Sequence, residues 1–330
     1  MEQQYIGIDL HKASFHACAL SGDGQRLWEA AFPRTAEGIA AFAARQIGGA
    51  RLAVEATSPT WRFVDAVEAY GATVCVVDAR KTKLKAGFAA KTDRLDARRL
   101  ADALRRDSVT SIYVPPPIIR ELRELTRGRQ QVVRLRTRVV QAIRALLLRQ
   151  DVAEPPVRTL TSRRGLAWLR TVRLAPTSDA TLRRLERVLH AVLAETQAAD
   201  TAVGTAASDD PIVRALTRLA GVGPVLGMVL RAEIGTIERF ASGAALASYA
   251  GIVPRVHASA TTYRSGAITR QGSPWLRWAL VEIAMRAMRQ PDPLGRWARR
   301  LAIRKGIKRA RVALARRLCD QIVKTWQNVG

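Results

Sequence analysis

Two short apolar stretches each carry a single acid, and no other feature narrows the fold of this chain as much. Tyr5-Ile6-Gly7-Ile8-Asp9-Leu10 reads as a buried strand with a carboxylate inside it. Arg51-Leu52-Ala53-Val54-Glu55-Ala56 reads as another strand ending in one. A carboxylate in an otherwise apolar strand is costly unless something compensates it. A third acidic feature is Lys91-Thr92-Asp93-Arg94-Leu95-Asp96-Ala97, where Asp93 and Asp96 head an apolar-periodic run continuing through Leu100, Ala101 and Leu104. Residues three apart share a helix face, so both acids can point at one spot. Cations such as Lys91, Arg94, Arg98 and Arg99 surround them. A carboxylate pair bordered by cations suits a place where divalent metal and phosphate meet. An exposed helix face of alternating charge is the plainer alternative. Asp9, Glu55, Asp93 and Asp96 together offer the hard oxygen donors that two Mg²⁺ ions require. Such a pair can clamp the attacking and leaving oxygens of a phosphodiester displacement.

The elements around these acids follow in a definite order. A turn at His11-Lys12-Ala13-Ser14 leads to a second strand, Phe15 to Leu20, and Gly22-Asp23-Gly24 leads to a third over Arg26 to Ala31. Ala36 to Arg45 is Ala-rich and helical. After Glu55, Ser58 is expected to cap a helix whose first residue is Pro59. Thr73 to Val77 is a fifth, fully apolar strand. Meander, helix, strand, helix, strand is the order of an RNase H-like α/β domain, here expected over residues 1–114. The four histidines, His11, His16, His190 and His257, show no ligand spacing and read as ordinary residues.

Beyond Pro115-Pro116-Pro117 the pattern turns helical. Leu122, Leu125, Val132, Leu135, Val139, Ile143 and Leu146 recur at coiled-coil-like spacings, giving a middle region, 115–205, expected to pair between protomers. Leu219-Ala220-Gly221-Val222-Gly223-Pro224 opens a mainly α C-terminal region, 206–330. It resembles the turn of a helix-hairpin-helix, whose amides at Gly221 and Gly223 could take a phosphate; a tight helix connection explains it as well. Between Tyr249 and Ser273, hydroxyls alternate with Arg255, Arg264 and Arg270 and no apolar period holds, so this stretch reads as a loop. A hydroxyl among arginines suits a nucleophile attacking phosphorus.

Charge decides the class of partner. The chain carries 54 Lys and Arg against 28 Asp and Glu, a net +26. That balance calls for a polyanion, and the preponderance of Arg favours nucleic acid. From Arg286 to Arg317 there are twelve basic residues and one acid, with Arg299 and Arg300 among the expected phosphate contacts. No apolar run approaches the roughly 18 residues of a membrane span. Three scattered cysteines support neither a disulfide framework nor a zinc site. A soluble, cytoplasmic protein is the expectation.

The motifs as a set resemble the DEDD-type transposases of the bridge-RNA-guided insertion-sequence family, related to the Piv-type DNA invertases. The matching pieces are Ile8-Asp9-Leu10-His11-Lys12, Val54-Glu55-Ala56-Thr57, Lys91 to Ala97, Gly221-Val222-Gly223-Pro224, Ser248 to Arg255, and Gly266 to Ser273 leading to Leu276-Arg277. The resemblance implies a Holliday-junction-resolvase-like fold in which Asp9, Glu55, Asp93 and Asp96 bind two Mg²⁺. It implies a helical coiled coil between protomers and a C-terminal domain donating a nucleophilic serine. Ser259 stands where that serine falls; Ala260 follows it where the family usually has Gly, and Ser265 before Gly266 is the alternative. Lys12, Lys91, Arg94, Gly221, Gly223, Arg255, Arg264, Arg270, Arg299 and Arg300 are then the expected nucleic-acid contacts. The implied partners are donor and target duplex DNA, a non-coding guide RNA and further copies of the chain, as dimer or tetramer, on the bacterial nucleoid. A metal-dependent structure-specific endonuclease, a DNA invertase of the same fold, or a non-catalytic nucleic-acid scaffold are the other readings. The full acid set speaks against a scaffold, and the Ser259 region against a simple nuclease.

Overall fold

The computed structural model describes residues 3–78, 93–153, 157–259 and 262–329, with the backbone alone between Val256 and Ser265. The chain divides into two compact units, Met1–Val114 and Pro115–Gly330.

In the first unit, β1 (Tyr5–Leu10), β2 (Ser14–Leu20) and β3 (Arg26–Pro33) form an antiparallel meander. After α1 (Ala36–Ala43), β4 (Arg51–Glu55) joins β1 in parallel. After α2 (Thr60–Glu68), β5 (Thr73–Val77) joins β4 in parallel, giving the order β3-β2-β1-β4-β5. The mixed sheet is consistent with an RNase H-like start. Side chains alternate across it, as strand geometry requires. Ile6, Ile8, Phe15, Leu52, Val54 and Val76 face one way, onto Phe42 of α1 and Phe63, Val64 and Val67 of α2. The opposite face is covered by α3 (Asp93–Arg105), whose Ala97, Leu100, Ala101 and Leu104 meet Cys18, Leu20, Ala53 and Val77.

One expected cap is corrected. Helix α2 begins at Thr60, and Pro59 precedes it without a side-chain cap. Thr60 takes over at the junction: its hydroxyl accepts from the Thr57 amide at 2.8 Å and donates to the Glu55 carbonyl at 3.0 Å. Ser58 is therefore not the cap.

The second unit is built on two long helices, α4 (Pro117–Arg149) and α6 (Pro176–Asp209), with α5 (Arg163–Thr171) between them in sequence. Ile143 and Leu146 near the end of α4 pack with Leu182 and Leu189 near the start of α6. Leu122 and Leu125 near the start of α4 pack with Val203 and Ala207 near the end of α6. The pair is antiparallel, so much of the apolar stripe expected to seek another protomer is covered by its own chain. A local repeat cannot reveal that a partner lies further along the same sequence.

Next come α7 (Pro211–Leu216), α8 (Pro224–Ile234), a 3₁₀ turn (Ile237–Arg239) and α9 (Gly243–Tyr249). The stretch read as an irregular loop is an antiparallel hairpin, β6 (Pro254–Ser259) with β7 (Thr262–Ile268). Ser259 pairs with Thr262 at its tip. Arginines and hydroxyls hid the strands, because they leave no alternating apolar pattern in the sequence. Three helices close the unit: α10 (Pro274–Ala287), α11 (Pro293–Lys305) and α12 (Ile307–Gln327). Leu230, Leu246, Leu280, Ile283, Leu314 and Ile322 lie at its core.

Candidate active site

Gly7 makes the acidic cluster possible. A Cβ at Gly7 would fall 1.9 Å from the Ala97 carbonyl oxygen and 2.4 Å from the Ala101 nitrogen. Only a residue without a side chain lets α3 lie this close on β1. Asp9, two residues on, faces the same side by strand alternation. Glu55 follows by register: Ile8 pairs with Val54, so Asp9 and Glu55 are the next residues on neighbouring parallel strands, on the α3 side.

The first turn of α3 closes the cluster. Single ligand atoms of Asp9, His11 and Asp93 all lie within 4.8 Å of one another. His11 Nε2 stands 3.2 Å from Asp9 Oδ2 and 3.3 Å from Asp93 Oδ2. Partial burial raises the Asp9 carboxyl above its ordinary range; His11 opposes the shift, and the negative charges of Asp93 and Asp96 add to it. Asp96 thus acts on Asp9 through its field while its Oδ1 accepts from Arg99 at 3.3 Å. Glu55 is half-buried at the neighbouring strand end. Oxygen donors crowded until they repel, open to solvent on the Asp93 side, fit a divalent cation, which would remove that repulsion.

His11 is the residue that sequence reading passed over. Its Nε2 lies between two carboxylate oxygens, where a cation would sit, so it is part of the site. The one available signal was its place two residues after Asp9.

Comparison with known proteins gives the family. A DEDD transposase family model of the IS110 group matches residues 6–150, and the model described as the transposase IS116/IS110/IS902 family matches residues 213–300. The chain belongs to that family. It is a transposase, an enzyme that cuts and rejoins DNA. The transposase for insertion sequence element IS1111A of Coxiella burnetii is 25% identical over 94% of this chain and 86% of its own length. A probable family 20 transposase of Pseudomonas aeruginosa is 27% identical over 68% of this chain and 69% of its own. An uncharacterized 44.8 kDa protein of insertion element IS116 from Streptomyces clavuligerus is 26% identical over 88% and 86%.

The transposase's expected nucleic-acid contacts fall into distinct environments. Lys12 is exposed, and its carbonyl is gripped by Arg34 at 2.6 and 2.8 Å. Lys91 lies outside the described residues. Arg94 does not point free: its Nε donates to Glu29 Oε1 at 2.5 Å. Glu29 also meets His16 at 2.9 Å and Arg26 at 3.0 Å, and is held down to about 2, first of all by the Arg94 hydrogen bond. This contact fastens the first turn of α3, beside Asp93, to β3.

Gly221 has φ +85°, and a Cβ there would come 2.6 Å from the Ile283 carbonyl oxygen, so it serves close packing on α10. Gly223 is the N-cap of α8 and has no backbone close enough to forbid a side chain. Arg255 and Arg270 are exposed at the base of the hairpin. The side chains of Arg264, Ser259 and Ser265 lie outside the described residues. Arg299 donates to the carbonyls of Met288 and Gln290 at 2.5 and 2.8 Å, which makes it a clasp on the end of α10. Arg300 is exposed.

The hairpin base is anchored by a buried acid. Glu233 is 1% exposed; Arg127 forks its two oxygens at 2.9 and 3.1 Å, and the Ser273 hydroxyl donates to it at 2.8 Å. Ser273 also caps α10 by accepting from the Leu276 amide at 3.2 Å. Gly251 and Gly272 interlock beneath the hairpin, where added Cβ atoms would fall 2.0 Å from the Gln271 and 1.9 Å from the Tyr249 carbonyl oxygens.

Proposed function

We propose that this chain is an RNA-guided site-specific recombinase that moves a DNA element through metal-bound acids and a serine nucleophile. The observation that carries the reading is the gathering of Asp9, His11 and Asp93 at the C-terminal end of the central strand β1, with Asp96 in electrostatic reach. Asp9, Glu55, Asp93 and Asp96 would hold divalent metal, Mg²⁺ in two positions, in a Holliday-junction-resolvase-like domain. When bound, such ions polarise the scissile phosphate and neutralise charge that builds up on it.

The chain's own groups do the rest. Asp9 and Asp93 fix His11 between them, and Gly7 and the Arg94–Glu29 contact hold the acids of α3 over β1. Ser259, or Ser265 in its place, attacks phosphorus through Oγ. A Ser–O–P bond forms at the 5′ phosphate, the P–O3′ bond breaks, and the 3′ oxygen leaves with a proton. The 3′ hydroxyl of the exchanged strand then attacks the ester and restores the serine, so bond energy is kept rather than lost to water. Duplex donor and target DNA and a guide RNA are the proposed partners, in keeping with the net +26. In this reading residues 1–114 carry the acids, 115–205 the long helices and 206–330 the serine.

The deciding experiment looks for a denaturation-resistant protein–DNA adduct in magnesium. Attachment at a 5′ phosphate, lost in Ser259→Ala, is expected. Loss in Ser265→Ala instead moves the role to that serine. Accumulation of free 3′-hydroxyl and 5′-phosphate ends without any adduct would leave a metal-dependent nuclease.

A further inference from the structure

The cations near the end of the chain are of two kinds. Arg299 clasps α10, Arg296 donates to the Pro291 carbonyl, and the Arg317 guanidinium lies 3.7 Å from the centroid of the Trp297 ring. These hold α10, α11 and α12 together. Arg300, Arg304, Lys305, Lys308 and Arg309 are exposed, and among the described residues none of them has an ion pair. No acid occurs between Asp292 and Asp320 that could supply one from nearby in sequence.

These five surround the bend between α11 and α12 at Gly306, where φ is +82°. Every residue from Ile303 to Arg309 is exposed. Ile303 is 86% exposed, the most of any large apolar side chain among the described residues, and Ile307 is 50% exposed. A lone surface isoleucine needs no explanation. Two of them on one bend, among five unpaired cations, bury little, and Ala would suit the end of α11 better. Lys308 and Arg309 also sit in the first turn of α12, the wrong end of its dipole for a cation, until an anion joins them.

We propose that the α11–α12 bend is a wedge for duplex DNA. The five cations take phosphates across the minor groove, and Ile303 and Ile307 press into one base step and kink it. This rests on the reading of the chain as a DNA transposase and adds the groove, the deformation and the residues. Apolar wedges ringed by Lys and Arg unstack a step from the minor-groove side, most cheaply at pyrimidine–purine steps. The minor groove of an RNA duplex is wide, shallow and lined with hydroxyls, and offers this pair no comparable hold.

The test uses the full-length protein and a duplex of roughly 30 bp with a central TA step and a dye at each end, a length suited to reading a local bend. Ile303→Ala/Ile307→Ala should lose the energy transfer that reports bending and about tenfold in affinity, with an unchanged melting temperature and salt dependence. Changing Arg304, Lys305, Lys308 and Arg309 to Gln should lower the slope of log K against log salt by about 3.6 if all four touch phosphates. A wild type that bends DNA no differently from the isoleucine variant overturns the wedge and leaves the transposase reading standing. Equal dependence on both isoleucines with an RNA duplex overturns the assignment to DNA. A wild type that binds no duplex of either kind removes the DNA-transposase reading itself.

Discussion

Burial, His11 and two further acids all act on Asp9, the centre of the acidic cluster. Asp9→Asn keeps the volume and removes one negative charge from the set. Strand exchange in magnesium should fall on the order of 10²-fold or more, with DNA binding kept, since metal stabilisation of a phosphoryl transition state is worth several kcal/mol. Near-normal exchange by this variant would sink the metal-site assignment. Glu29 gives a second prediction at this scale. Its carboxyl falls from 4.5 to about 2 on folding, so the stability it contributes is fully present above about 4.5 and is lost as pH falls toward about 2. Thermal melts of Glu29→Gln should therefore differ from wild type near neutrality and converge with it at strongly acid pH; a constant difference across that window would remove the role given to Arg94. Asp9 and Glu55 could be picked out in sequence because each stands in an apolar strand, and Asp93 and Asp96 because they lie three apart at the head of an apolar-periodic run. His11 offered only its place two residues after Asp9, a signal whose meaning shows once β1 and α3 are brought together. The Arg94 contact could not be picked out, because its partner Glu29 lies 65 residues away in sequence.

At the scale of elements, strands and helices were legible wherever one face is buried, and ambiguous where none is. The strands β1, β2, β4 and β5 read as nearly continuous apolar runs because both sheet faces are covered, and α4 and α6 repeat cleanly because they bury stripes on each other. The β6–β7 hairpin shows no alternating apolar pattern in sequence and passed for a loop. Gly7 is the test of how α3 meets the sheet. Gly7→Ala forces a methyl into backbone atoms that cannot turn aside, so a loss of about 3 kcal/mol or more is expected, at or above the usual range for overpacking. Denaturant unfolding measures it, and a wild-type midpoint would mean that α3 does not rest on β1 as described. In the second unit, Arg127→Ala would strand the buried Glu233 carboxylate beneath the hairpin. Truncating one member of such a pair costs about 3 kcal/mol.

At the scale of the molecule, the antiparallel packing of α4 on α6 changes what drives assembly. Read alone, the stripe from Leu122 to Leu146 suggests pairing in the free protein, yet much of it is covered inside one chain. What remains outward on α4 is scattered, with Leu135 48% and Leu148 77% exposed. Two free copies would each bring a net +26 toward the other, and that repulsion grows as salt falls. Recombination nevertheless needs at least two active sites, because two duplexes must be cut and rejoined together. Both demands are met if the polyanion is the assembling agent, neutralising the cations and bringing copies together on one substrate. The free protein should therefore sediment as a 36.2 kDa monomer at moderate salt. Adding duplex DNA should convert it to a dimer or tetramer, and removing the DNA with nuclease should return the monomer. A free dimer that survives dilution and high salt would show that the exposed leucines of α4, and not the nucleic acid, join the protomers.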